Sequence, residues 1–144
     1  MPDYCANVNV WSVLVATLAS FLLGGVWYSN ALFAPAWIRG QGWSEAQAAE
    51  KRKGHPLPCF ATAILTSLVS CWIMDMAIAG AKIPADAFCA AGFATVCWLG
   101  FTMPETLCAA MFSGSSKLVW RIDAGFELVR LILAAEILVH WPRG

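Results

Sequence analysis

Charge is what this sequence has least of. Asp, Glu, Lys and Arg make up 12% of its 144 residues, against 60% hydrophobic. Soluble domains carry roughly a quarter of their residues charged, so an ordinary water-facing surface is excluded. Nine basic and nine acidic side chains give a formal net charge of zero. Nothing in that balance argues for nucleic acid or for a strongly charged substrate. No C-x-x-C pair occurs among the six cysteines, Cys5, Cys59, Cys71, Cys89, Cys97 and Cys108. A disulfide framework or metal cluster needs closer spacing or histidine partners. The cysteines therefore read as small, buried, reduced packing residues.

Catalytic signatures are missing as well. There is no Gly-rich phosphate loop, Walker pattern, His-Glu-x-x-His or Gly-x-Ser-x-Gly. Gly24–Gly25 reads as a close-packing pair at a helix end. His55 and His140 form no metal spacing, and each reads as an interfacial side chain; ligation of a haem or pigment by His140 stays open. No cofactor and no metal is expected. The opening "MPDYCANVNV" has no basic run and contains Asp3, so it reads as neither a secretory signal nor a transit peptide. The first apolar segment is expected to be a retained span. Period-two alternation is absent, which argues against a β-barrel.

What is present is four apolar segments, at about 10–28, 57–79, 87–112 and 118–139. Each is long enough to cross a hydrocarbon core about 30 Å thick at about 1.5 Å per residue. The expected fold is all-α: a single transmembrane domain over 1–144, with four transmembrane helices in an antiparallel bundle. Trp11, Trp27, Tyr28, Trp37, Trp43, Trp120 and Trp141 cluster near the predicted boundaries, as an aromatic belt does. Trp72 and Trp98 lie deeper and are expected to pack between helices. The loop 29–56 is the one long polar connection. Its Ser44 and Gln47 form a capping-box pattern, predicting a short interfacial helix from Glu45 to Gly54. The preceding "LFAPAWIRGQGW" reads as a hinge or half-buried interfacial segment. "GAKIPAD" and "SGSSK" read as tight turns.

Basic residues set the orientation. Arg39, Lys51, Arg52, Lys53 and Lys117, with Arg121 nearby, fall on one side; Lys82 and Arg143 fall on the other. Both termini are thus expected on the non-cytoplasmic side. Small residues set the packing, because close approach rather than apolarity drives helix association in lipid. Ser12, Ala16, Ser20 and Gly24 recur every fourth residue in the first span. Cys59, Ala63, Ser67, Cys71, Asp75 and Ala79 do so in the second. The two rows are expected to meet. Pro104 cannot donate to the carbonyl of Gly100 and should kink the third span there.

Among the four apolar segments, the densest charge sits in the fourth. Asp123, Glu127 and Arg130 are four and three residues apart, on one helical face. A charge at bilayer centre costs at least about 2.5–3.5 kcal/mol. That face must therefore look at other helices, a partner or a wet cavity. Arg130 can reach Glu127, or Glu105 or Asp75 across the bundle. Arg121 and Glu136 lie off the face, near the two ends. Acids outnumber bases among these groups, so desolvation should keep some carboxyls protonated.

Two blocks resemble a known family. Residues 16–47, "ATLASFLLGGVWYSNALFAPAWIRGQGWSEAQ", carry Gly24 or Gly25, Trp27, Tyr28, Ser29, Leu32, Phe33, Trp37, Gly42, Ser44 and Glu45 in the pattern of the small membrane family called domain of unknown function 1761. "WLGFTMPETLCAAMFSGSSKLVWRIDAGFELVRLILAAEIL" is similar to that family's closing half. The resemblance implies a compact four-helix membrane protein and implies no activity. Asp123, Glu127 and Glu105 depart from the occupants expected there.

The resulting expectation is a non-catalytic integral membrane protein. It would be a structural or accessory subunit of a membrane assembly, or a homo-oligomer. Its partners would be the lipid bilayer and other membrane subunits or a second copy, with no nucleic acid. Asp123, Glu127, Arg130, Glu105 and Asp75 would form a polar network or docking face. The alternative is a small proton- or cation-coupled transporter using the intramembrane carboxylates. A membrane enzyme acting on a lipid-like substrate near Glu105 ranks third.

Overall fold

A computed structural model describes residues 8–54 and 56–142. Asp3, Cys5, His55 and Arg143 lie outside the described residues. The described chain is all-helical. Helix α1 (Val10–Trp27) starts at Asn9, whose side-chain oxygen accepts from the backbone N–H groups of Trp11 and Ser12. Such a cap satisfies donors that the first turn leaves open. Helix α3 (Glu45–Lys53) starts with the expected reciprocal pair: Ser44 N–H donates to Gln47 Oε1 at 2.9 Å, and Gln47 N–H to Ser44 Oγ at 3.2 Å. The first loop holds a second helix, α2 (Ala34–Gly40), where the sequence predicts a hinge or half-buried interfacial segment. Pro35 stands in its first turn, where a missing N–H costs nothing.

Helix α4 (Pro56–Ala81) ends in a left-handed turn at Lys82, with φ +52°. Ile83 N–H closes that turn on Ile78 O at 3.1 Å. Asp86 caps α5 (Ala87–Cys97) by accepting from Cys89 N–H at 3.0 Å. This contact holds the Asp86 carboxyl below the usual aspartate range. Helix α6 (Met103–Ser113) follows without a break and ends at Gly114, whose φ of +68° suits glycine. Ser116 caps α7 (Lys117–His140).

Where a kink is expected, the winding of the helix changes. Between α5 and α6 the chain makes one wide π turn, Trp98–Thr102, with Met103 N–H donating to Trp98 O. The extra residue lets the helix run past Pro104, which has no N–H to give.

Helix α7 is the hub: it packs against α1, α2, α4, α5 and α6. The core gathers at one end of the bundle, where Val13, Ala16, Cys71, Ile78, Ala90, Ala94, Ala135 and Leu138 are buried. The described chain ends meet there, with Asn9 Nδ2 donating to Pro142 O at 3.4 Å.

Three helices are long and apolar enough to cross a membrane: Val10–Trp27, Leu57–Ala81 and Ala87–Ser113. The sequence reading had four. Helix α7 has the length, 24 residues, but Arg121, Asp123, Glu127, Arg130 and Glu136 make it too polar to stand among them. Apolar bulk instead points away from the bundle. Trp11, Leu18, Leu57, Phe60, Ile73, Phe88, Phe101 and Phe112 are all exposed. Trp72, expected between helices, is exposed as well.

Candidate functional site

The polar face of α7 is where local rules and apolar surroundings conflict, and the fold resolves the conflict in two separate ways. Asp123 is met by aromatic donors. Tyr28, at the end of α1, donates its hydroxyl to Asp123 Oδ1 at 2.7 Å. Trp37, on α2, donates Nε1 to the same oxygen at 3.0 Å. Both bonds converge on one oxygen, so this single side chain ties α1, α2 and α7 together. The indole Nε1 groups of Trp27 and Trp98 reach the same stretch, donating to the carbonyls of Ile122 and Ala124 at 3.2 and 3.0 Å. Each helical carbonyl keeps a second lone pair for such a bond.

Glu127 and Arg130 neutralise one another. Arg130 places Nε and Nη2 on Glu127 Oε2 at 3.0 and 2.7 Å. Its outer nitrogens touch Ser70 Oγ of α4 at 3.4 Å. Arg130 is the deeper partner, with its side chain 12% exposed against 30% for Glu127.

The remaining acids are elsewhere. Asp75 is 1% exposed and lies at the packed end, where it accepts from Asn9 N–H at 3.2 Å. Glu105 is exposed in the first turn of α6 and makes no ion pair with any described residue. The expected reach of Arg130 to Asp75 or Glu105 is therefore not made: Glu127, one turn away on the same helix, takes its donors first. Glu136 pairs within its own helix, 3.4 Å from His140 Nδ1.

The small-residue rows meet only in part. Ser12, Ala16 and Ser20 are buried, as is Cys71 opposite them. Gly24 faces Phe126 of α7 rather than α4, with a would-be Cβ 3.5 Å from that ring. Ala63 is exposed and Ser67 half-buried. Helices α1 and α4 thus touch at one end and part at the other. Between them opens a groove of about 830 Å³, floored by Phe126, Glu127 and Arg130 of α7. Phe21 of α1 and Phe60 of α4 stand edge to face in it, 6.0 Å apart.

A smaller pocket of about 540 Å³ lies under the first loop, lined by Arg39, Trp43, Glu45 and Arg52. Lys51 stands over the Trp43 ring at 4.6 Å. Among the described residues no three of His, Cys, Asp and Glu come together as metal ligands. The five described cysteines are free thiols.

Sequence reasoning finds Asp123, Glu127 and Arg130 and offers Glu127 as a partner for Arg130, which the structure shows, but it does not find the partners on other helices. Tyr28 and Trp37 stand out in the sequence only as boundary aromatics, and Ser70 does not stand out at all. Their pairing depends on how α1, α2 and α4 each pack against α7, which spacing does not reveal. No curated protein and no solved structure matches the chain. Residues 11–139 match the family described as "Protein of unknown function (DUF1761)", and the chain belongs to that family.

Proposed function

We propose that this chain is a four-span integral membrane protein with no catalysis of its own, acting as a structural or accessory subunit of a membrane assembly or as a homo-oligomer. One observation carries the reading: the bundle is inverted relative to a water-soluble one. Its most charged helix is the central one, and large apolar side chains of α1, α4, α5 and α6 face outward. An exposed apolar surface of that extent marks a membrane or a protein contact. Helix α7 is then the fourth span, tolerated because Asp123, Glu127 and Arg130 are bonded within the bundle rather than bare in lipid.

The same bonds favour bracing over transport. A proton or cation path through Asp75, Glu105 and Glu127 needs those carboxyls in sequence. Asp75 lies at the packed end, Glu105 on the outer surface, and Glu127 beneath the groove. Both termini are proposed on the non-cytoplasmic side. In support, Asn9 and Pro142 are neighbours at one end, while α2 packs against α7 at the other.

The reading is tested in two steps. Single cysteines placed at Lys51 and Lys82, in a background without the native ones, should label from opposite faces of sealed vesicles. Labelling from one face would reject the topology. Native mass spectrometry from the source membrane should give a complex of fixed stoichiometry. A bare monomer, intact and fully helical, would reject the accessory role.

A further inference from the structure

The first loop carries more positive charge than its folding uses. From Arg39 to Lys53 it holds Arg39, Lys51, Arg52 and Lys53 against Glu45 and Glu50. At the opposite end of the bundle, the turn between α4 and α5 balances Lys82 against Asp86. Arg39 stands in the last turn of α2 and Arg52 in the last turn of α3. Both line the pocket of about 540 Å³ under the loop. Neither makes an ion pair with any described residue. Glu45 lines the same pocket and is not paired with either of them. The lining therefore carries two guanidinium groups against one carboxylate. A helix C-terminus attracts a cation, which accounts for a base at one helix end but not for two such ends opening on one pocket.

The bundle holds this pocket in place. Trp43, in its wall, packs edge to face on Trp37 at 5.5 Å, and Trp37 donates to Asp123 of α7. Ala48 is buried where α3 closes the pocket. Lys51 Nζ stands 4.6 Å from the centre of the Trp43 ring and adds a third cation beside the pocket. Tryptophan is the residue of the headgroup level in membrane proteins. Arginine presents a planar fork that takes two oxygens of one phosphate at once. The volume falls in the range of sites for small organic groups, about 300–1,000 Å³.

We propose that this pocket binds the headgroup of an anionic phospholipid, with the phosphate held by Arg39 and Arg52 against Trp43 while the acyl chains stay in the bilayer. A zwitterionic headgroup offers the same phosphate but brings its own cation into a lining that already has one in excess. In the topology proposed above the first loop faces the cytoplasm. The leaflet there is anionic, and each arginine or lysine near it adds about fivefold in affinity. A lipid as the source of the phosphate rests on the membrane reading. The test below is made in micelles, so it can fail while the vesicle labelling succeeds, and the reverse.

The test titrates phosphatidylglycerol and phosphatidylcholine with identical acyl chains into the purified full chain in a neutral sugar detergent. Native mass spectrometry counts the lipid retained. Phosphatidylglycerol should bind saturably and more tightly than phosphatidylcholine. Arg39→Gln and Arg52→Gln together should weaken it about thirtyfold, at about fivefold each. Both side chains are exposed, so the variant should keep its helical circular dichroism. Ala49→Trp fills the pocket without touching charge and should weaken binding as well. Lys82→Asn, at the other end, removes one charge and should leave binding unchanged. Free glycerol phosphate should not displace the lipid at equal concentration; displacement would make the ligand a soluble phosphate ester and overturn the lipid assignment. Equal affinity for the two lipids, unchanged binding in the double arginine variant or in Ala49→Trp, or an equal loss in Lys82→Asn would each overturn the proposal.

Discussion

The two ends of this bundle are built from the same helices and behave differently. At the end where Asn9 meets Pro142, α1, α4, α5 and α7 close on one another through Ala16, Cys71, Ala90, Ala94, Ala134 and Ala135. Small side chains let backbones approach, and dispersion contacts accumulate where no void is left. At the other end α1 and α7 stay close, but α4 leans away, and aromatic rings with one ion pair line the space that remains. The first end is specified by volume. The second is specified by hydrogen bonds: Tyr28 and Trp37 donate to Asp123, and Arg130 donates to Glu127 and Ser70. Packing builds the frame, and polarity places a cavity within it.

That contrast can be broken at several points. Leu138 is fully buried in the packed end, and Leu138→Ala should cost about 2–5 kcal/mol through lost transfer energy and a residual cavity. Chemical denaturation in detergent measures it, and a loss below about 1 kcal/mol would mean that this end is not close-packed. Tyr28→Phe tests the polar end. It deletes one bond to a carboxylate and should cost about 1.5–3 kcal/mol, read from the same titration; no change would put the Asp123 anchor in doubt.

Gly40→Ala addresses how α2 is held against α7. An added Cβ would stand 2.7 Å from Val119 Cγ2. Valine is stiff at χ1, so the backbone must shift, at about 1–3 kcal/mol. A neutral result would show α2 to be loosely seated. In the groove the reverse holds: Gly25→Ala meets open space and should fall within about 0.5 kcal/mol of wild type. A larger change would mean the groove is filled by this chain itself.

The smallest expected effect is at the Asp86 cap. Cys89 N–H holds the Asp86 carboxyl low, so its contribution is fully present above the ordinary aspartate value of about 4. It fades as pH falls through the lower folded value. Thermal melts of wild type and Asp86→Ala should therefore differ near neutral pH and converge in strong acid. A gap that persists unchanged in acid would assign the cap's effect to something other than its charge.

Much of this architecture was legible before any coordinates. The capping box at Ser44 and Gln47, the glycine turn at Gly114 and the limits of α1, α4 and α5 through α6 follow from local sequence, because caps and apolar length act over a few residues. Helix α2 was missed because seven residues, "APAWIRG", carry too short a period to declare themselves, and Pro35 among them reads as a breaker. The charged face of α7 was found from four- and three-residue spacing alone.

Sequence by itself determined that the chain is helical, that its surface is too apolar for ordinary water exposure, and that Asp123, Glu127 and Arg130 share a face. These follow from composition and from the helical repeat, both local properties. Only tertiary structure decided which helix is central, which donors answer each charge, and that α1 and α4 part to leave a groove. Those outcomes depend on how side chains far apart in the chain fit against each other, and spacing along one helix says nothing about the shape of its neighbour.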